Sequence, residues 1–511
     1  MDYRTVTALL VIVTVLLLSA AGCTATTEEN VPGAASVSPA DEVYARGVAA
    51  YADASYRTAE ERFAEAYALS TGAGDPDRAR IARDAMFRAN RTYTEYPFNR
   101  SAAEAALAET IPGITDAAIA DWLDNRAQAI VSENETLYFS DVANNYLYAH
   151  FDEIRKVTAT SLDFDYVARY AWSEDQPGGT GPYVNPVRYA GAERLEVPRE
   201  MLPSSGVLKI WFPLPVETDS QRNVTVTNLS CPDYIVAGPF TTGPIGYVYY
   251  EIPAGAVNGD LILSADIDFV SYEQIFDGID PAEVGEYNTS DPDYLLYTRS
   301  ERNIELTDAV REKAREIVGN ETNPHLAAQL IYYHIIETYP YSHFPHGSLD
   351  AREPKVAEST YMFETDHGDC GTQSMLFSAF CRSLGIPARA VGGYQMIMAG
   401  TPGGHFWAEY YLPGYGWVPN DVTIAEAADW VVIPEEKRSA FKDYYAANLD
   451  PARLVIQKNV DAPMKPALPE GAAIFRIVRQ YPAIVSDTAN YDIDLFGMMD
   501  CFKIDLAAVD Q

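Results

Sequence analysis

The sequence predicts an α+β chain of several domains: a helical N-terminal region, a β-sandwich-like middle domain, and a third domain that mixes helices and strands. Three observations predict it. From Asp41 to about Thr158 alanine is dense, and Pro and Gly are sparse within the segments, as in packed helices. After Ser161 short runs alternate apolar and polar residues between Pro, Gly and Asp, as half-buried strands do. From Thr307 onward helical and strand-like patterns follow one another within a single compact stretch.

The 511 residues leave room for two to four domains, and a hydrophobic content of 48% is ordinary for folded cores. The charge is lopsided, with 73 acidic against 37 basic side chains and a net charge of −36. Phosphate backbones repel such a chain, so no nucleic-acid partner is expected. The acidity reads as solubility, with attraction of basic substrates as the alternative. The five cysteines, Cys23, Cys231, Cys370, Cys381 and Cys501, are scattered, so neither a zinc pair nor a disulfide scaffold is implied.

The chain opens like an exported protein. Arg4 precedes the apolar run Ala8–Leu18, and small residues lead to Cys23. The run is short for a span, which needs about 20 apolar residues. Ala20-Ala21-Gly22-Cys23 resembles a lipobox in which Cys23 is lipidated after cleavage, with Ala20 where leucine is usual. Residues 1–22 are therefore a signal peptide or an uncleaved anchor. Either way the rest lies outside the cell membrane, tethered to it. Residues 23–40, rich in Thr, Ser, Ala, Pro and Gly, read as a flexible tether.

Within 41–158, Gly47, Tyr51, Ala59, Phe63 and Ala66 fall near the spacing of a tetratricopeptide helix pair. Further helices are expected over Arg78–Tyr93, Ala102–Glu109 and Asp116–Ser132. This TPR-like region is either a spacer or a groove for a protein partner. The middle domain, 161–276, carries the strand-like runs Val207–Phe212 and Tyr247–Ile252, and the alternating Leu261, Leu263, Ala265, Ile267 and Phe269. Helices are expected again at Thr307–Val318 and His325–Thr338. Residues 461–511 form a C-terminal extension expected to add strands to the domain before it.

The chemistry concentrates between Gly368 and Thr423. Asp369 is an N-cap residue, and the run from Cys370 through Cys381 has helical spacing that stops at Gly385 and Pro387. Cys370 then sits in the first helical turn, where free amides and the helix dipole favour a thiolate nucleophile. Gly368 and Gly371 leave the sulfur uncrowded, and the Cys370 amide can serve an oxyanion. Cys381, about three turns on among Phe377, Phe380 and Leu384, reads as a buried apolar side chain.

A base comes from the strand-like run His405–Leu412, followed by Pro413-Gly414-Tyr415-Gly416 and then Trp417–Asp421. This is a hairpin pattern. A two-residue turn would pair Asp421 with Ala408, on the wrong face. A three-residue loop pairs it with Trp407, on the face of His405 and diagonal to it, about 7–8 Å away. Asp421 can orient His405 only with an odd-length loop or a bulge.

Four pieces in order carry a resemblance: Gly368-Asp369-Cys370; Leu384-Gly385-Ile386-Pro387-Ala388-Arg389; His405-Phe406-Trp407-Ala408-Glu409; and Gly416-Trp417-Val418-Pro419-Asn420-Asp421. The stretch resembles the transglutaminase-like superfamily of papain-fold cysteine enzymes, across about residues 290–440. The resemblance implies a papain-like catalytic domain over 290–460. In it Cys370 forms a thioester with a peptide carboxamide or carbonyl, His405 shuttles the proton, and Asp421 holds the tautomer of His405. Asn420 stands where relatives are often apolar, and its amide could compete for His405. Gly371, Asn420 and Trp407 are the supporting candidates, and Glu409 with Trp407 braces the strand.

No cofactor is expected. His343, His346 and His367 raise a metal question, but no regular spacing holds them, so no metal site is assigned; His367 is expected to line the cleft. The resulting expectation is an extracytoplasmic cysteine enzyme acting on peptide or protein amide bonds, with hydrolysis favoured over acyl transfer. The alternative is an envelope scaffold that binds without catalysis.

Overall fold

The computed structural model describes residues 38–157, 168–173, 181–346, 349, 355–396, 402–468, 480–486 and 500–509. The export or anchor segment, Cys23, all but the last three residues of the tether, and the domain boundary at Ser161 lie outside the described residues. Among those described, no helix is long and apolar enough to cross a membrane.

The N-terminal region consists of α1 (Pro39–Ala52), α2 (Tyr56–Gly72), α3 (Pro76–Thr94), α4 (Arg100–Thr110), α5 (Asp116–Asn125), α6 (Val142–Ala149) and α7 (Phe151–Val157). α1 packs on α2 and α2 on α3. Gly47 permits the first contact, because a Cβ there would lie 2.6 Å from the Phe63 ring. Ala59, Phe63 and Ala66 are the buried face of α2. The helix expected over Asp116–Ser132 stops at Asn125. Strands β1 (Ala129–Ser132) and β2 (Glu135–Tyr138) follow as a hairpin. The β-branched pair Ile130-Val131 favours extended backbone. Glu133 and Asn134, at φ of 51° and 68°, form the two-residue turn whose twist suits a hairpin.

The middle of the chain supplies β3 (Tyr183–Val197), β4 (Val207–Pro213), β5 (Gln221–Thr227), β6 (Ile235–Phe240), β7 (Tyr247–Pro253) and β8 (Leu261–Gln274). The catalytic part supplies β9 (Ala388–Gln395), β10 (Gly403–Leu412), β11 (Gly416–Asn420) and β12 (Arg453–Gln457), and the C-terminal part β13 (Ala483–Ser486) and β14 (Phe502–Val509). Two four-stranded antiparallel sheets, ordered β13-β4-β7-β6 and β14-β3-β8-β5, share one apolar core. Ile210, Phe212 and Val248 meet Leu195, Leu263 and Phe269 in it.

The C-terminal strands depart from expectation. β13 pairs with β4 and β14 with β3, so they complete the middle sheets instead of extending the catalytic domain. Without them β4 and β3 would be open edges, which pair readily with other chains.

The catalytic part forms a third antiparallel sheet, β11-β10-β9-β12. Around it stand α8 (Pro292–Tyr297), α9 (Asp308–Val318), α10 (Pro324–Thr338), α11 (Glu358–Thr365), α12 (Cys370–Ser383), α13 (Val422–Ala427) and α14 (Glu435–Tyr445). α12 packs on β9 and β10, with α9, α10 and α11 against it. Leu376, Phe377, Phe380 and Cys381 are fully buried there. Cys381 is thus an apolar core residue, as its neighbours predicted.

Candidate active site

Two elements bring the candidate residues together. Asp369 caps α12, accepting the amides of Gly371 at 2.9 Å and Thr372 at 3.1 Å. Cys370 is the first residue of that helix and is half-buried. Its thiol lies within electrostatic reach of the backbone amides of Phe406, on β10, and Gly371. Phe406 is the residue after His405, and its ring lies 3.4 Å from where a Cβ on Gly371 would sit, so the start of α12 packs against the start of β10.

The hairpin takes the odd register. Leu412 pairs with Gly416 and Ala408 with Asn420, leaving a three-residue loop from Pro413 to Tyr415. Asp421, one residue past Asn420, therefore falls on the His405 face. His405 Nε2 lies 2.8 Å from Asp421 Oδ2, with both side chains buried. Burial would raise the Asp421 carboxyl, but the adjacent His405 and Arg453 outweigh it and hold it at about 2. Asp421 is then an acceptor only, so Nε2 carries the hydrogen. Nδ1 keeps a lone pair.

Arg453 was not visible as a site residue in the sequence. Its Nη1 donates to Asp421 Oδ2 at 2.7 Å and its Nη2 to Asp450 Oδ2 at 2.6 Å. Its guanidinium also lies 5.4 Å from the centre of the Trp407 ring. Trp407 thus braces Arg453 and stacks 6.3 Å from His405. Only the long return through α13 and α14 brings β12 beside the hairpin residues, and no local pattern announces it.

The expectation that the helix N-terminus favours a thiolate is incomplete. Burial first, then the carboxylates of Asp369 and Asp421, push the Cys370 thiol well above its ordinary range, against the Phe406 and Gly371 amides. The residue that caps the helix also puts a negative charge beside the sulfur.

The supporting candidates separate. The Gly371 amide is committed to Asp369, so it is not a spare oxyanion donor. The Cys370 amide, at the first helical position, has no intrahelical acceptor and remains one. Asn420 does not compete for His405: its amide is fully buried and has no hydrogen-bond partner among the described residues. Glu409 pairs with Arg389 at 2.6 Å, which braces β10 against β9.

The histidines scatter to different partners. His343 Nδ1 is 3.2 Å from Asp141, and His346 Nε2 is 2.8 Å from Asp369. His367 does not line the cleft; its Nε2 donates to the Arg126 carbonyl at 2.6 Å, in the helical region. That contact belongs to a seam beside the nucleophile. Asn145 exchanges two hydrogen bonds with the backbone of His343, at 2.9 and 2.8 Å. Tyr148 of α6 meets Tyr341 edge-on at 5.0 Å and Trp430 at 5.0 Å. Tyr341 lies within electrostatic reach of Cys370. Beneath it, Gln373 and the Tyr341 amide both donate to the fully buried Glu426.

A cysteine at a helix N-terminus, and a buried histidine–aspartate pair on the antiparallel sheet that the helix packs against, suit a cysteine-type enzyme core. Residues 311–422 match the family model described as the transglutaminase-like superfamily, so the chain carries a transglutaminase-like core. It is 28% identical over 150 residues to an uncharacterised protein of Haemophilus influenzae, across 25% of this chain and 40% of that one. It is 31% identical over 144 residues to the protein YebA of Bacillus subtilis, across 25% of this chain and 19% of that one. A Pseudomonas aeruginosa protein named protein-glutamine gamma-glutamyltransferase is 24% identical over 163 residues, across 30% of this chain and 24% of that one. The chain thus spans two fifths or less of the length of each of these relatives. Among solved structures, a chain described as a candidate cysteine protease from Cytophaga hutchinsonii superposes with a TM-score of 0.42 at 15% identity, over 64% of this chain and 92% of that one. The periplasmic domain of TgpA from Pseudomonas aeruginosa superposes with a TM-score of 0.25 at 14% identity, over 56% of this chain and 99% of that one.

Proposed function

We propose that the protein is an extracytoplasmic cysteine enzyme that acts on peptide or protein amide bonds through a thioester on Cys370. The observation that carries this reading is the hydrogen bond between His405 and the ionised Asp421, which leaves Nδ1 with a lone pair that can accept a proton. His405 takes the thiol proton as sulfur attacks the carbonyl and returns it to the departing amine. Asp421 stays ionised throughout, orienting the ring and stabilising the imidazolium that forms. The location outside the cell rests on the apolar run Ala8–Leu18 and the small residues before Cys23.

Hydrolysis is the first reading, because transfer needs a site that shelters the thioester from water. Transfer to an amine is the second, favoured by the name of the Pseudomonas relative. Mass spectrometry of a peptide library incubated with the protein separates the two. Shortened or deamidated peptides indicate hydrolysis, and cross-linked ones indicate transfer. Either product should vanish with Cys370→Ala. If the product spectrum is unchanged in that variant, the chain is a binding scaffold.

A further inference from the structure

The C-terminal segment returns one side chain to the neighbourhood of the nucleophile. The Tyr394 hydroxyl on β9 donates to the carbonyl of Gln480 at 2.6 Å, strapping the segment to the catalytic sheet. The next residue, Tyr481, packs its ring edge-on against Tyr394 at 5.8 Å and Phe502 at 6.2 Å. The ring is thus held by one residue of each sheet system. Its hydroxyl lies over Gly404, where a Cβ would sit 2.8 Å from the Tyr481 oxygen. Gly404 directly precedes His405 and pairs with Tyr394 in the ladder. No other residue type fits beneath that hydroxyl without displacing it. The hydroxyl makes no hydrogen bond among the described residues, although the side chain is only half-buried.

Resting on the thioester reading above, we propose that Tyr481 is a substrate-facing residue of the Cys370 site, whose hydroxyl donates a hydrogen bond to the carbonyl oxygen of the acyl donor. As Sγ bonds to the carbonyl carbon, the π pair moves onto oxygen and the thiol proton passes to His405 Nδ1. Tyr481 keeps its proton and donates to the new oxyanion, beside the Cys370 amide. On collapse the C–N bond breaks and the amine leaves with the proton from His405. Burial, then Cys370, raises the Tyr481 phenol above its ordinary value, so the hydroxyl stays a donor through neutral pH. The segment after residue 461 thereby serves the site as well as the middle sheets.

The test uses the full chain and two reagents. A dipeptidyl chloromethyl ketone must have its carbonyl oxygen received beside Cys370, whereas methyl methanethiosulfonate reads thiol reactivity alone. Tyr481→Phe should slow alkylation by the ketone about ten-fold or more, the loss expected of one oxyanion donor, and leave the thiosulfonate rate unchanged. Equal ketone rates in wild type and Tyr481→Phe would overturn the proposal, as would a parallel change in both rates. A rise in both would make Tyr481 a cover over the sulfur instead. If wild-type Cys370 takes the thiosulfonate but never the ketone, the thioester reading fails, and this inference with it.

Discussion

At the scale of single residues three buried charges stand behind His405. Arg453 bridges Asp421 and Asp450, all three nearly or fully buried. Arg453→Met would strand both carboxylates, and losing one partner of a buried pair costs about 3–5 kcal/mol. Urea unfolding should show that loss, and a change within about 0.5 kcal/mol would mean the pair is dispensable. Asp421 also sets an acid limit. Its folded pKa of about 2 lies below the ordinary value of 3.8, so its contribution is fully present above about pH 4 and lost as pH falls toward 2. The shift corresponds to about 2 kcal/mol. Unfolding followed between pH 5 and pH 2 should lose that increment in wild type and not in Asp421→Asn. Asp369 offers a cleaner electrostatic test. Asp369→Asn keeps an N-cap acceptor and removes the charge beside Cys370. The pH midpoint for Cys370 alkylation should move down. An unmoved midpoint would show that the carboxylate does not hold the thiol up.

At the scale of elements, α12 and the β10–β11 hairpin were legible because their signals are local. Asp369 is a cap, Cys370 to Cys381 has helical spacing, and Pro413-Gly414-Tyr415-Gly416 is a turn. The register was left to two alternatives, and the three-residue loop decided between them. Other elements were obscured where local pattern and long-range pairing part company. Ile130-Val131 lay inside a helix-like stretch, and its hairpin depends on the positive φ of Glu133 and Asn134. β13 and β14 carry ordinary strand residues, and nothing local says that their partners are β4 and β3. Arg453 and Tyr481 reach the site only through such distant returns. The α1–α2 contact makes a prediction of its own. Gly47→Ala should destabilise the helical region by about 1–3 kcal/mol through overpacking against Phe63, despite the better helix propensity of alanine. Loss of helical circular dichroism on heating would report it, and a stabilised helix would refute the close contact.

At the scale of the whole molecule the catalytic sheet is held from two sides. The middle sheets meet it at β12, where Gln221 bonds both the amide and the carbonyl of Val455 at 2.8 and 2.9 Å. The helical region meets it at the loop holding Tyr341 and His343, through Asn145. Asn145→Ala should cost about 1–3 kcal/mol for the unmet backbone groups, readable as a lowered urea midpoint. It should also lower activity, because the same loop carries Tyr341, which lies within electrostatic reach of Cys370. The central claim is that this assembly makes Cys370 an acylated nucleophile. The most direct measurement is acid quenching of the protein during turnover of a peptide mixture, followed by mass mapping of the peptide that contains residue 370. The expected result is an acyl adduct on Cys370 that hydroxylamine removes, absent from Cys381 and from His405→Ala. An adduct equally abundant on Cys381, or none on Cys370 while products still form, would contradict it.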